Sequence, residues 1–101
     1  MPSGTHEYVK DPRNDNILIY INGEIIPRQA AKISVFDSGF LLGDGVWEGI
    51  RLHNGHLVYL EEHMSRLYEG ARAIGMDIGM SDDDLTNKIM ETIDANQMRS
   101  D

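Results

Sequence analysis

Residues 46–60 read Val-Trp-Glu-Gly-Ile-Arg-Leu-His-Asn-Gly-His-Leu-Val-Tyr-Leu, and this stretch does more than any other to decide the fold. The Asn54-Gly55 pair near its centre tolerates the two positive φ angles that a two-residue hairpin turn requires. The residues before the pair alternate between two kinds of side chain, as a strand does. The pattern therefore predicts an antiparallel hairpin, with one strand over residues 46–53 and a return strand over residues 56–60.

The two faces of the longer predicted strand differ in chemistry. Successive side chains of a strand point to opposite faces. One face carries Val46, Glu48, Ile50 and Leu52, and the other carries Trp47, Gly49, Arg51 and His53. An aromatic ring, a gap without a side chain and a guanidinium in sequence suit a flat, charged molecule. We therefore take the second face as a candidate ligand surface.

A second hairpin is predicted upstream, with strands over residues 17–21 and 24–27 joined by Asn22-Gly23. All five residues of its first strand are apolar, so we expect both faces of that strand to be covered by further protein. Residues 1–16 mix prolines, glycine, charges and amides without an apolar period, and are predicted to form a polar lead-in arm. The predicted domain therefore covers residues 17–101.

Two helices are predicted after the hairpins, and they complete the fold class. An apolar stripe on the first helix is formed by Leu60, Met64, Leu67, Ala71 and Ile74, and Gly75 ends it. Ser81 is a typical N-cap for the second helix, since three aspartates follow in the first turn. With residues 28–45 read as a loop, the order predicts an α+β fold of antiparallel hairpins followed by two helices.

Composition and net charge exclude several kinds of site and several kinds of partner. The chain has 101 residues, 41% of them hydrophobic, and no cysteine, which predicts one domain without disulfides or a thiolate metal site. Its net charge is −8, with −2 over residues 1–60 (five basic, seven acidic) and −6 over residues 61–101 (four basic, ten acidic). Such a field repels nucleic acid and anionic membranes, so we expect neither as a partner. Without an apolar run long enough for a membrane span, we expect a cytoplasmic protein.

Spacing alone leaves the role of Arg66 open. It follows Glu62 by four residues on the predicted helix, which allows a surface ion pair. A planar guanidinium also binds phosphate or carboxylate through two parallel N–H groups, so Arg66 is equally a candidate anion anchor. His53 and His56 lie across the predicted hairpin, and His63 follows on the helix. Because the cross-strand pair lacks a third ligand at a fixed metal-binding spacing, we expect no metal site.

Four blocks of sequence follow one another in a fixed order: Tyr-Ile-Asn-Gly-Glu at 20–24, Ala-Lys-Ile-Ser-Val-Phe-Asp at 31–37, Gly-Asp-Gly-Val-Trp-Glu-Gly-Ile-Arg at 43–51, and Leu-Glu-Glu-His-Met-Ser-Arg-Leu at 60–67. Together they resemble the amino-terminal domain of the class IV aminotransferases, the fold type IV family of pyridoxal phosphate enzymes. That family contains branched-chain amino acid aminotransferase, D-amino acid aminotransferase and aminodeoxychorismate lyase. The resemblance implies the small amino-terminal domain of such an enzyme.

Residue by residue, the resemblance implies a cofactor site and part of a substrate pocket. Arg66 corresponds to the family's ligand for the phosphate of pyridoxal 5'-phosphate. Trp47 corresponds to an aromatic residue that lines the substrate pocket, and Arg51 to an arginine beside it. Leu42 also lies at a pocket position, where branched-chain enzymes typically place a tyrosine.

The resemblance also implies an activity and a missing part. The implied reaction moves an amino group between an amino acid, with the branched-chain type favoured, and a 2-oxo acid. D-amino acid aminotransferase and aminodeoxychorismate lyase stay open, as does a non-catalytic dimerisation or ligand-binding module of the same fold. The Schiff-base lysine comes from the family's carboxy-terminal domain, and Lys10, Lys32 and Lys88 match no position for it. We therefore expect this chain alone to be inactive, and to be part of a homodimer of complete subunits.

Overall fold

The computed structural model describes residues 9–100, which form two antiparallel hairpins and three α-helices. The elements are β1 (Leu18–Ile21), β2 (Glu24–Pro27), α1 (Ser38–Leu42), β3 (Leu52–His53), β4 (His56–Leu57), α2 (Leu60–Ala73) and α3 (Asp82–Ala95). Single turns of 3-10 helix lie at Pro12–Asn14 and Arg28–Ala30. The α+β class, with hairpins followed by two longer helices, is confirmed.

Both hairpin turns form at the Asn-Gly pairs. In the first, Ile21 pairs with Glu24, and Asn22 and Gly23 have φ angles of 51° and 91°. The second turn has φ angles of 49° and 80° at its Asn-Gly pair, and His53 pairs with His56 as the sequence predicts. These angles cost little at asparagine and glycine, so two short sequence signals fix the register of both strand pairs.

The long strand predicted over residues 46–53 is wrong in its extent. Only Leu52–His53 pairs as a strand, and the return strand is His56–Leu57 rather than residues 56–60. One further backbone bond joins the amide of Val58 to the carbonyl of Arg51 at 2.9 Å. A strand requires a hydrogen-bonding neighbour, and residues 46–50 do not pair with another strand within the described chain.

The predicted alternation of faces nevertheless persists through this segment, residues 46–51, which we call the extended segment. Burial alternates regularly from residue 46 to residue 53. The inward positions are Val46, Glu48, Ile50 and Leu52, and the exposed ones are Trp47, Gly49, Arg51 and His53. The two chemically different faces predicted from the sequence therefore exist without a continuous strand.

The predicted loop over residues 28–45 contains a short helix that the sequence reading missed. Asp37 begins α1, because its carboxylate accepts a hydrogen bond from the amide of Gly39 at 2.9 Å. Gly43, with a φ of 73°, ends it. Five residues are too few to show a helical period, so only these two caps signalled the helix.

The core lies between the second hairpin and α2. Among the described residues, only Leu52, Met64 and Ala71 are buried hydrophobic side chains. Val46 packs against α2 at Gly70, where a Cβ atom would lie 3.2 Å from Cγ1 of Val46. The absence of a side chain at Gly70 thus lets the extended segment approach the helix closely.

The helix α3 begins as predicted and joins the first hairpin. Ser81 accepts a hydrogen bond from the amide of Asp84 at 3.1 Å, as an N-cap does. At the other end, the Asn96 side chain accepts from the Leu18 amide at 2.7 Å and donates to the Leu18 carbonyl at 2.9 Å. The side chain of Asn96 therefore pairs with the β1 backbone as a neighbouring strand would.

The expected covering of the apolar strand is partial. All four residues of β1 are half-buried, and α3 lies beside the strand. An apolar cavity of about 350 Å³ remains between them, lined by Leu18, Ile19, Tyr20, Leu85, Lys88, Ile89, Thr92 and Ile93. The described chain thus does not fully cover this strand.

Part of the predicted lead-in arm lies outside the described residues. Positions 1–8 are not described, while Pro12–Asn14 forms a turn capped by Asp11. The Arg28 guanidinium donates to the carbonyl of Asn14 at 3.0 Å. The domain boundary at residue 17 stays a prediction. Within residues 9–100, we find no helix with the length and apolar character needed to cross a bilayer.

We expect Asn96→Ala to lower the free energy of unfolding by about 1–2 kcal/mol, because it leaves two half-buried backbone groups of Leu18 without partners. Urea unfolding followed by circular dichroism measures this change. Asn87→Ala is the matched control, because Asn87 is an exposed asparagine of the same helix. Equal stability changes in the two variants would contradict a role for Asn96 at the edge of β1.

Candidate functional site

Glu48 and Arg66 form a two-pronged ion pair between the extended segment and α2. Arg66 Nη2 lies 2.6 Å from Oε1 of Glu48, and Arg66 Nε lies 2.9 Å from Oε2. Glu48 is 13% exposed at its side chain, while Arg66 is 67% exposed. The predicted alternative of a helical pair with Glu62 is wrong within the described residues, because Arg66 instead crosses to the neighbouring segment. Such charge-assisted, two-pronged pairs fix orientation as well as contributing energy.

His63 completes a three-residue cluster around the Glu48 carboxylate. Its Nδ1 lies 2.6 Å from Oε1 of Glu48 and 3.2 Å from Nη2 of Arg66. A carboxylate only accepts hydrogen bonds, and an arginine only donates them. We therefore assign the proton to Nδ1, which donates to Glu48 and leaves the approach of Arg66 as a contact without a hydrogen bond.

The cluster keeps Glu48 ionised. Hydrogen bonds from Arg66, and then from His63, lower the pKa of Glu48 from its ordinary 4.5 to about 2, although burial opposes the shift. The same pair raises the pKa of Arg66, mainly through the hydrogen bond to Glu48. Glu48 and Arg66 are therefore both charged at neutral pH.

The outer edge of the Arg66 guanidinium is open to a ligand. Glu48 occupies the edge formed by Nε and Nη2. No residue in the range 9–100 makes a hydrogen bond with Nη1, and two-thirds of the side chain is exposed. A guanidinium can bind two anions through two edges. Arg66 therefore has the geometry of an anion anchor, with one edge bound to Glu48 and the other edge open.

The sequence-predicted pocket residues lie on exposed surface. Trp47 is 83% exposed and Leu42, the last residue of α1, is 73% exposed. The Trp47 ring lies over Gly49, where a Cβ atom would be 3.7 Å from Cζ3. Arg51 is exposed on the same side of the extended segment, opposite to Glu48. A substrate-binding role for Trp47, Arg51 and Leu42 stays a prediction.

Trp47 and Leu42 belong to a longer, largely apolar stretch, which we call the apolar segment and define as residues 33–47. Val46 points inward, but the other large apolar side chains of this segment are 57–83% exposed, and they are Ile33, Val35, Phe36, Phe40, Leu41, Leu42 and Trp47. Large apolar side chains that are exposed together in one stretch of chain are typical of an interaction site. The apolar segment is therefore a second functional feature, next to the anion anchor.

The histidines of the second hairpin make no cluster with a metal-binding geometry. His53 lies 3.3 Å from the side-chain nitrogen of Asn54, while His63 binds Glu48. In the part of the chain that the structure describes, no three His, Asp or Glu side chains converge on one point. The imidazole of His63 thus belongs to the arginine cluster.

Sequence reasoning missed Glu48 and His63 as members of the site. One signal was available, because Glu48 alternates with Val46, Ile50 and Leu52 on the inward face. A carboxylate among apolar side chains requires a cation or several donors. The nearest element rich in donors is the following helix, which carries both His63 and Arg66.

Comparison with known proteins shows which family this chain resembles. The family model described as amino-transferase class IV matches residues 45–100, more than half of the chain. A putative branched-chain-amino-acid aminotransferase of Methanocaldococcus jannaschii is 42% identical over 81 residues, which cover 80% of this chain and 28% of that protein. A D-alanine aminotransferase of Bacillus licheniformis is 40% identical over 81 residues, with 80% and 29% covered.

A solved structure agrees with these relatives. The branched-chain aminotransferase from Thermoproteus uzoniensis, crystallised with norvaline, matches with a TM-score of 0.76 and 30% identity over 84% of this chain and 30% of that one. The chain belongs to the class IV aminotransferase family. It spans less than a third of the length of these curated relatives.

We expect Glu48→Gln to flatten the dependence of stability on pH in acid. The unfolded chain protonates Glu48 near pH 4.5 and the folded chain near pH 2, so stability from this carboxylate is complete above pH 4.5 and lost as pH falls toward 2. Urea unfolding at pH values across this window measures the slope. Glu69→Gln, an exposed carboxylate of α2, is the control. An unchanged slope in Glu48→Gln would contradict the ion pair.

Proposed function

We propose that the chain is the amino-terminal part of a pyridoxal phosphate aminotransferase that moves an amino group between an amino acid and a 2-oxo acid. The match of residues 45–100 to the class IV family carries the proposal. This stretch includes Trp47, Arg51 and Arg66, so the matched region contains three of the four predicted site residues.

The exposed edge of Arg66 fits the phosphate of pyridoxal 5'-phosphate. A phosphate presents two oxygens to two parallel N–H groups, and the edge formed by Nη1 and Nη2 offers such a pair. When bound, the cofactor supplies an electron sink for bond changes at the amino acid α-carbon. Arg66 holds one end of the cofactor, and Glu48 holds Arg66.

The exposed face of the extended segment supports a substrate pocket. Trp47 restricts the space beside a bound amino acid, and Arg51 adds positive charge on the same side. Amino acids and 2-oxo acids all carry a carboxylate, which a nearby guanidinium attracts. Leu42 adds an apolar wall where branched-chain members place a tyrosine.

A branched-chain amino acid is the favoured substrate, with a D-amino acid as the second candidate. The archaeal branched-chain relative is 42% identical, and the solved neighbour carries norvaline, a linear aliphatic amino acid. The D-alanine aminotransferase relative, at 40% identity over the same length, supports the second candidate. The Leu42 position favours this second candidate, or the related lyase, over a strict branched-chain pattern.

The apolar segment supports a partner region, which we propose is the carboxy-terminal domain of the same subunit or of a separate chain. Its exposed aromatic and aliphatic side chains need a cover, and the relatives are more than three times as long as the part matched here. The partner region would supply the lysine that binds the cofactor aldehyde. A cytoplasmic homodimer of complete subunits completes the proposal.

Residues 1–101 alone, mixed with pyridoxal 5'-phosphate, should transfer no amino group from any L-branched-chain amino acid or D-alanine to a 2-oxo acid. Adding the protein's own carboxy-terminal domain should restore transfer, measured by chromatography of the new amino acid, and the added domain alone is the control. Turnover by residues 1–101, together with borohydride trapping of the cofactor on Lys10, Lys32 or Lys88, would contradict the proposal that the partner region supplies the lysine. A complete protein that binds cofactor without turnover would instead be a non-catalytic module.

In the assembled protein, Arg66→Ala should weaken pyridoxal 5'-phosphate binding about 10- to 100-fold, which corresponds to the roughly 1.5–3 kcal/mol of a charge-assisted hydrogen-bond set. Titration followed by cofactor absorbance measures the dissociation constant. Arg72→Ala is the matched control, since Arg72 is a second arginine of α2. Equal affinities of Arg66→Ala and the unmodified protein would remove Arg66 from the cofactor site.

A further inference from the structure

We propose that Glu48 and His63 are positioning residues, which set the direction in which Arg66 presents its open edge to a phosphate group. The inference rests on the proposed function, because it concerns how the phosphate anchor is held. It assigns roles to two residues outside the predicted site, on the basis of three contacts: 2.6 Å and 2.9 Å between Glu48 and Arg66, and 2.6 Å between Glu48 and His63.

An exposed arginine needs such support to act as a fixed anchor. The arginine side chain has four rotatable bonds. Because 67% of the Arg66 side chain is exposed, packing alone does not restrict its conformation. Two hydrogen bonds to one carboxylate fix both the position and the plane of the guanidinium. The open edge then points in one direction before a ligand arrives, and less conformational freedom is lost on binding.

His63 fixes the carboxylate in turn. It lies three residues before Arg66 on α2, so both side chains leave the same face of the helix. Its Nδ1–H donates to Oε1 of Glu48, the same oxygen that Nη2 of Arg66 contacts. Glu48 is thereby held from one helix by two donors, and it cannot rotate without breaking a bond to one of them.

The packing around the cluster keeps the two elements at this distance. Val46, two residues before Glu48, contacts α2 at Gly70, one turn after Arg66. Trp47 lies between Val46 and Glu48 in sequence and faces the opposite side of the extended segment. The same short segment therefore carries the partner of the phosphate anchor on one face and the proposed substrate-pocket residues on the other.

Two effects of Glu48 on phosphate affinity oppose each other. Its negative charge repels phosphate, whereas its hydrogen bonds orient Arg66. Because Arg66 is mostly exposed, water and salt screen the repulsion between Glu48 and a bound phosphate. The solvent does not replace the hydrogen bonds that orient the Arg66 guanidinium. We therefore expect neutralising Glu48 to weaken phosphate binding rather than strengthen it.

The test compares paired variants of the assembled protein. Glu48→Gln keeps the size of the side chain and removes its charge and one acceptor. His63→Asn keeps a donor near the position of Nδ1, whereas His63→Leu removes it. Dissociation constants for pyridoxal 5'-phosphate and for inorganic phosphate are measured by titration, and the Arg66 Nε–H signal is followed by NMR without ligand.

We expect Glu48→Gln to weaken both ligands about fivefold and His63→Leu about threefold, as loss of a preorganised donor set does, with His63→Asn restoring affinity to near that of the unmodified protein. The Arg66 Nε–H signal should be protected from exchange in the unmodified protein and in His63→Asn, and exposed in Glu48→Gln. Rescue by His63→Asn separates positioning from a general loss of folding, which urea unfolding measures in parallel.

The outcomes distinguish this inference from the proposed function. If Arg66→Ala weakens binding while Glu48→Gln and His63→Leu bind as tightly as the unmodified protein, or more tightly, the positioning role is overturned and the anchor stands. If Arg66→Ala has no effect, the phosphate anchor itself is overturned. If His63→Asn and His63→Leu behave alike, His63 does not act through its donor and its part of the inference fails.

Discussion

The hydrogen-bonded ion pair between Glu48 and Arg66 is the interaction on which the arrangement of the rest depends. Within the described chain, residues 46–50 of the extended segment have no strand partner, and the segment contacts α2 instead. Val46 at Gly70 supplies the apolar contact, and Glu48 with its two donors supplies the polar one. Because alternate residues point in opposite directions, fixing Glu48 inward fixes Trp47 outward. A single carboxylate thus orients a surface on which it does not lie.

Features set by neighbouring residues could be predicted from the sequence. The Asn-Gly pairs fix two turns, and Ser81 begins α3, because each acts within a few residues. The true length of β3 could not be predicted, since strand pairing depends on distant chain. Nor could the partner of Arg66, since Glu62 is close in sequence while Glu48 is eighteen residues away and meets it only after the hairpin has folded.

Membership of the class IV family does not by itself select a substrate. A relative named as a putative branched-chain-amino-acid aminotransferase and one named as a D-alanine aminotransferase match this chain at 42% and 40% identity over equal lengths. The stretch of sequence that this chain shares with them is therefore common to both kinds of relative. Discrimination between substrates is then expected from the exposed face around Trp47, Arg51 and Leu42, where side chains are free to differ without disturbing the core.

The apolar segment also has a consequence for synthesis on the ribosome. A short turn closes each hairpin, and α2 follows β4 closely, and such local structure forms faster than the tens of seconds needed to make a long chain. The exposed apolar side chains of residues 33–47 therefore face water while later parts of a long chain are still being made. In a longer protein that begins with this chain, that interval is when binding by a chaperone would protect the nascent chain from aggregation.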